Sequence, residues 1–489
     1  MFAALALAAA VAAPASAAVE KPAPDAPIAG EIPVTSSVPE AAQAFREGRR
    51  RAINWDCPSA TTLLRRALEL EPHFPLAMAW LGFCLSTPEG AALTDQALGL
   101  SAPLPPTERL SIETLAAQKH GDDEQVRKLR RKLVDLAPND ALAQFQYGVL
   151  SQYDHKSQAA ILHLRRAVEL NPKLAEAYNY LGYVYAQQGM AEDGIAAARK
   201  FVELEPGEAN AHDSLGEVLM LLGHLDEAAA ELEKAAQLDP TFWMAYAGLA
   251  YVHFYQGNFS AARAALAAGA KAPHGELESR ALQLVAAWGA LGEGRDDDAL
   301  AMIDDLEKDA QSRKSALGVA WARLERGELQ LERSKPAECH AQIAASRTSL
   351  AEAGSGEQQN RVRRALLVLD ARLAAAEEKP LVAETAASAL AGELRRAPSN
   401  MDVRSAQHLA QGEAALAARD PAAAVAPLAL CPDAEVVCRL ELARAQLAAG
   451  DARAAEATRA RMLGLYFRDN LHRGEDPAAL YVRLKMTRK

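Results

Sequence analysis

Aromatic residues make up only 5% of this 489-residue chain, although half of it is hydrophobic. Alanine fills the difference. It is the strongest helix former and takes little space, so helices can pack closely while a wide globular core cannot be filled. Strand-like runs of Val, Ile, Thr and Tyr are nearly absent, which argues against a sheet protein. An excess of positive charge is missing too. Lys and Arg number 53 against 64 Asp and Glu, for a formal net charge of -11. That leaves no electrostatic footprint for nucleic acid. Two basic clusters, Arg49–Arg51 and Arg127–Lys132, sit beside acids and read as solvated helix faces.

The signatures of catalysis are also wanting. There is no Gly-rich phosphate loop ending in Lys-Ser or Lys-Thr, no dinucleotide fingerprint and no Gly-x-Ser-x-Gly elbow. The eleven histidines are scattered, and no His-Glu-x-x-His pair occurs. Asp296 to Asp298, with Asp304 and Asp305, lack the alternating spacing and central glycine of a calcium loop. They suit a helix start, where acids are favoured. The expectation is no enzyme, no cofactor and no metal. An unrecognised catalytic site in the C-terminal half stays open as an alternative.

Long apolar runs are absent with one exception. Residues 2–13 carry no charge and are followed by Pro14 and the small triplet Ala15-Ser16-Ala17. This reads as a secretory signal peptide over 1–17, since an uncleaved anchor needs a longer run. The chain is therefore expected to be exported, to the periplasm or beyond. Residues 18–39, with five prolines, read as a disordered leader.

What is present is a period. Pro138, Pro172, Pro206 and Pro240 stand 34 residues apart. So do Gly148, Gly182 and Gly216, with Ala250 continuing the row. Ala160, Gly194, Ala228 and Ala262 form a third row, and Leu164, Ala198, Leu232 and Leu266 a fourth. A small residue in a first helix lets a second helix lie against it. The large residue fills the groove beside it, and the proline forbids continuation of the second helix. Gly189, Gly223 and Gly257 mark the turns within pairs. A single pair cannot bury its apolar face, so neighbours must stack into a solenoid.

The unit from Ala175 to Gly207, with Tyr178, Leu181-Gly182, Tyr185, Gly194, Phe201 and Pro206, resembles the tetratricopeptide repeat. The next unit matches with Leu215-Gly216, Ala228, Ala235 and Pro240. The resemblance implies an all-α, right-handed superhelical solenoid of antiparallel helix pairs. It spans residues 41–274 in about seven units beginning near 41, 75, 107, 141, 175, 209 and 243. The unit at 75 loses its second half in a Pro-rich stretch at 103–106. Residues 275–463 read as about five degenerate repeats or a separate helical bundle, and 464–489 as a cap on the open end.

Five cysteines are present. Cys431 ends one helix and Cys438 begins the next, while Cys57 and Cys84 fall at neighbouring ends of successive units. Export would let both pairs form disulfides, leaving Cys339 over. The tyrosines at 178 and 185 and Trp288 read as repeat core.

The resemblance also implies a concave groove lined by first helices. The groove positions hold Phe145, Val149, Gln152, Asn179, Tyr183, Asn210, Asp213, Glu217, Met244, Tyr251 and Phe254. Amides suit an extended backbone, aromatics supply contact area, and Asp213 with Glu217 would select Lys or Arg. The lysine with which some family members grip a C-terminal carboxylate is missing. Alternatively these side chains pack against neighbouring helices. The implied function is an extracytoplasmic adaptor for a protein or peptide partner, with a structural subunit of an envelope or secretion complex as the rival.

Overall fold

The computed structural model describes residues 32–53, 56–85, 87–272, 275–398, 400–432 and 435–464, with Leu480 and Leu484. The signal-peptide reading of 1–17, the leader through residue 31 and most of the C-terminal cap lie outside the described residues.

Helix-forming stretches punctuated by Pro, Gly, Asp and Asn cut the chain into antiparallel pairs. The first seven are α1 (Pro39–Ile53) with α2 (Cys57–Leu70), α3 (Pro75–Cys84) with α4 (Pro88–Leu100), α5 (Pro106–Lys119) with α6 (Asp123–Leu136), α7 (Ala141–Tyr153) with α8 (Ser157–Leu170), α9 (Ala175–Gln187) with α10 (Ala191–Leu204), α11 (Ala209–Leu221) with α12 (Leu225–Leu238), and α13 (Trp243–Tyr255) with α14 (Phe259–Gly269). Five more follow: α15 (Glu276–Glu293) with α16 (Asp296–Ser312), α17 (Ala316–Glu332) with α18 (Pro336–Glu352), α19 (Glu357–Ala376) with α20 (Pro380–Arg396), α21 (Met401–Ala417) with α22 (Pro421–Ala429), and α23 (Val436–Ala448) with α24 (Ala452–Gly464). Among the described residues there is no strand. None of their helices is long and apolar enough to cross a membrane.

Local chemistry explains the boundaries. Proline opens α3, α4 and α5, where its fixed φ suits the first turn and its missing N–H is no loss. The side chain of Asp122 caps α6 by accepting from the Gln125 N–H at 3.0 Å, and Asn258 caps α14 by accepting from Ala261. The turns within pairs obey the period. Gly121, His155, Gly189, Gly223 and Gly257 all have positive φ, from 55° to 83°. Histidine replaces glycine once in that row, at the cost of a left-handed conformation.

The small-residue rows meet the leucine row inside each pair. A Cβ on Gly148 would lie 2.7 Å from Leu164 Cγ, and one on Gly216 2.7 Å from Leu232 Cγ. The same sixteen-residue relation recurs at Gly48 with Leu64 and, in the C-terminal half, at Gly412 with Leu428. Leu64, Leu164, Leu232 and Leu428 are fully buried, each contributing about 1.5–3 kcal/mol of transfer free energy.

Stacking sets the curvature. α9 touches α11, α11 touches α13 and α13 touches α15, while second helices of successive pairs make no comparable approach. First helices therefore lie on the inner, tighter radius. The array also curls back on itself. Arg50 and Arg51 of α1 pair with Glu205 and Glu208, at the α10–α11 junction, each at 2.7 Å. Val436, Leu440 and Met462 of the last pair pack against the cluster of Leu284, Trp288 and Leu291 on α15.

Two expectations are corrected. The unit at 75 keeps its second helix, α4, because Pro88 starts that helix rather than ending one; the prolines at 103–106 lie between α4 and α5. The leader is ordered from residue 32. Ile32 is buried and its N–H donates to Asp140; the Thr35 N–H donates to Glu108 Oε1 at 3.1 Å, and the Ser37 N–H to Glu71 Oε1 at 3.0 Å. An extended segment is thus held by carboxylates at the end of α2, on α5 and at the start of α7. Leu480 and Leu484, from the stretch read as a cap, are buried in a cluster that includes side chains of α11, α13 and α15.

Candidate functional site

The first helices α7, α9 and α11, which touch in sequence along the stack, carry a group of polar side chains. Glu176, Asn179 and Tyr183 lie at i, i+3 and i+7 on α9, so they share one helix face. Gln152 projects from α7, next to α9 in the stack. The Tyr183 hydroxyl donates to Glu217 Oε2 on α11 at 2.9 Å.

Three oxygens on this surface are buried without a hydrogen-bond partner among the described residues: Gln152 Oε1, Glu176 Oε1 and Asn179 Oδ1. Unsatisfied buried acceptors are costly, at about 1–3 kcal/mol each, and each is a place where an N–H donor gains more than it does in water. Burial pushes the Glu176 carboxyl up to about 7; Glu205 adds to the shift, and Arg50 opposes it. Glu176 was not among the groove residues read from the sequence. Its place two residues into the unit, where an acid at a helix start looks unremarkable, hid it.

Other expected groove residues are elsewhere. Phe145 is buried, its ring edge-on to Tyr180 at 5.6 Å, because the next first helix closes over it. Phe254 is buried against α15: a Cβ on Gly289 would lie 2.2 Å from its Cζ. Tyr251 is fully buried in the cluster that includes Leu480 and Leu484. Asp213 is only 2% exposed, so it forms no open acidic patch with Glu217. Close approach of successive first helices explains all four, since it turns groove positions into contacts between units. Trp288 is core as expected, and its Nε1 donates to Glu325 Oε2 at 3.0 Å.

The C-terminal half holds a charged cluster on its first helices. Arg372 of α19 pairs with Glu328 and with Glu332 of α17, the latter at 2.9 Å. Burial, with Glu441 nearby, holds Glu413 of α21 well above the usual carboxylate range. These charges tie consecutive units together. No group of acids, histidines and cysteines among the described residues is arranged to hold a metal ion.

The cysteines divide three ways. Cys431 and Cys438 are disulfide-bonded, with Cα atoms 6.4 Å apart. Cys57 and Cys84 are unbonded but within hydrogen-bond reach of each other. Cys339 is buried and free, and burial pushes its thiol up to about 12.

Stacked helix pairs with a 34-residue period and an inner surface of first helices define a helical-repeat protein of the protein-interaction class. The family model described as TPR repeat matches residues 156–189, and models described as tetratricopeptide repeat match 175–208 and 209–242. Residues 156–242 thus carry tetratricopeptide repeats, and proteins built of such repeats bind protein or peptide partners. No curated protein matches the chain. Among solved structures, MamA is 22% identical over 34% of this chain and 90% of its own, with a TM-score of 0.30. A tetratricopeptide repeat protein from Parabacteroides merdae is 13% identical over 67% of this chain and 97% of its own, with a TM-score of 0.35. YrrB, described as a TPR protein with an unusual peptide-binding site, is 20% identical over 37% and 95%, with a TM-score of 0.27.

Proposed function

We propose that the protein is an extracytoplasmic adaptor that holds an extended segment of a partner protein against the inner surface of α7, α9 and α11. The observation that carries this reading is the set of three buried acceptors on Gln152, Glu176 and Asn179 that no described residue satisfies. The backbone N–H groups of an extended segment are donors of the kind these acceptors lack. The carboxylate of Glu217, which accepts from the Tyr183 hydroxyl, favours a segment carrying Lys or Arg. Export rests on the apolar run 2–13 and the Ala15-Ser16-Ala17 triplet. The reading makes the chain a scaffold rather than a catalyst.

The test begins with affinity capture from an envelope extract and identification of the bound protein. Its binding segment is then measured against Gln152→Ala and Asn179→Ala. Each variant should weaken binding about fivefold to tenfold, the effect of one lost hydrogen bond, with helicity unchanged by circular dichroism. Wild-type affinity in both variants would move the site elsewhere.

A further inference from the structure

Each of the two basic clusters in the sequence sends one arginine to the same cavity, which is lined by side chains of the first helices α1, α3, α5 and α7. In the first cluster, Arg50 and Arg51 pair with Glu205 and Glu208. Arg49 lines the cavity instead, its guanidinium over the Phe45 ring at 5.4 Å. In the second, on α6, Arg127 pairs with Asp154 and Arg131 with Asp135, each at 3.0 Å. Arg130 reaches the cavity between them. Its Nε is buried without a hydrogen-bond partner among the described residues, where Arg130 also forms no ion pair. Its Nη2 donates to Gln118 Oε1 at a long 3.4 Å. Burial holds its pKa below the ordinary arginine value, yet an arginine keeps its charge at neutral pH. The hydroxyls of Ser111 and Thr114, also in the wall, donate to carbonyls of their own helix at 3.0 and 2.7 Å. Much of the rest is apolar: Ile32 of the leader, Leu76 and Trp80 of α3, Leu115 of α5 and Leu142 of α7. Counting its mouth, the cavity measures about 420 Å³. Small-molecule sites have this size and this mixture of apolar walls with few polar groups.

We propose that this cavity binds a small organic carboxylate with a compact apolar body, the carboxylate against Arg130 and the body against Trp80 and the leucines. The planar fork of a guanidinium matches a carboxylate in shape as well as charge. A cation taken out of water is costly until an anion meets it, so the ligand relieves a cost that the fold itself carries. The apolar walls select against inorganic phosphate, and the buried guanidinium selects against a neutral ligand. The cavity is separate from the acceptor row of Gln152, Glu176 and Asn179, and neither reading depends on the other.

Calorimetric titration of the full chain with phenylacetate tests this. Binding should saturate at one site. Phenylacetamide, which keeps the ring and loses the charge, should bind at least tenfold more weakly, and so should inorganic phosphate. Arg130→Met keeps the length of the side chain without its charge, and should weaken phenylacetate at least tenfold. Arg131→Met, on the same helix but exposed, should leave the affinity within about twofold. Leu142→Phe narrows the cavity from α7 without touching a charge, and should weaken phenylacetate at least fivefold. Circular dichroism checks the helicity of each variant; if Arg130→Met has lost it, Leu142→Phe decides. No saturable binding to wild type overturns the proposal. So does equal affinity for phenylacetamide or phosphate, full affinity in folded Arg130→Met or Leu142→Phe, or an equal loss in Arg131→Met.

Discussion

Tyr183 and Glu217 are joined by a 2.9 Å hydrogen bond and stand one repeat apart. They hold the same place in successive units. The stack brings such residues together because its first helices touch along the inner radius. The contact therefore ties two units and places the Glu217 carboxylate beside α9. Glu217→Lys should weaken a basic partner segment several-fold at low salt, with a smaller effect at high salt, as expected of a screened charge. Titrations of the identified partner at two ionic strengths check this, and equal weakening at both would show that the charge is not what is read. Asp213 is unsuitable for the same reversal, because a lysine at a position 2% exposed would strand a buried charge.

The glycine row makes a sharper test of packing. Gly148→Ala places a Cβ 2.7 Å from Leu164 Cγ, whereas the nearest atom to a Cβ on Gly182 is the Ala198 Cβ at 3.3 Å, with Ala198 N and Gly194 O at 3.4 Å. Alanine gains up to about 1 kcal/mol over glycine in a helix, while overpacking costs about 1–3 kcal/mol. Gly148→Ala should therefore destabilise by about 1–2 kcal/mol and Gly182→Ala should be near neutral. Urea unfolding of both variants decides it; equal costs would mean that the leucine row does not set the glycine row.

Stability should respond to pH through Glu176. Its folded carboxyl stays protonated to about 7, against an ordinary 4.5, first because of burial. Between those values the folded state binds the extra proton, so stability falls as pH rises through the window, and the cost is fully present above it. Glu176→Gln removes the ionisable group. The variant should match wild type at pH 4 and be more stable at pH 8, by roughly 3 kcal/mol. Thermal melts across this range test the sign, and a constant difference between the two proteins would contradict it.

Cys57 and Cys84 should close under mild oxidation. A hydrogen bond from Cys84 holds the Cys57 thiol below its usual range, with Lys119 also favouring the thiolate. Cys57 attacks oxidised glutathione and releases one glutathione thiol. Cys84 then displaces the second glutathione, forming the Cys57–Cys84 bond. Titration after denaturation should find one free thiol, at Cys339, where three stand free now. Three remaining thiols, or peptide mapping that links Cys339 instead, would rule the pairing out.

The period was legible in the residues themselves. Pro138, Pro172, Pro206 and Pro240 end the pairs, and Gly148, Gly182 and Gly216 mark the helix crossings, because backbone freedom and side-chain volume act locally and repeat with the chain. The nearness of Cys431 to Cys438 follows from the same local logic, a short turn between two helices. Burial of the groove residues could not be read this way. Whether Phe145, Tyr251 and Phe254 face solvent depends on how closely the next first helix approaches, and that distance is a property of the stack. The contacts between distant segments are less visible still. Ile32 on Asp140, Arg50 on Glu205 and Leu484 on Gly292 join residues far apart in sequence. No period relates them. Only the curvature of the assembled array, accumulated over many small rotations between units, decides which surfaces meet.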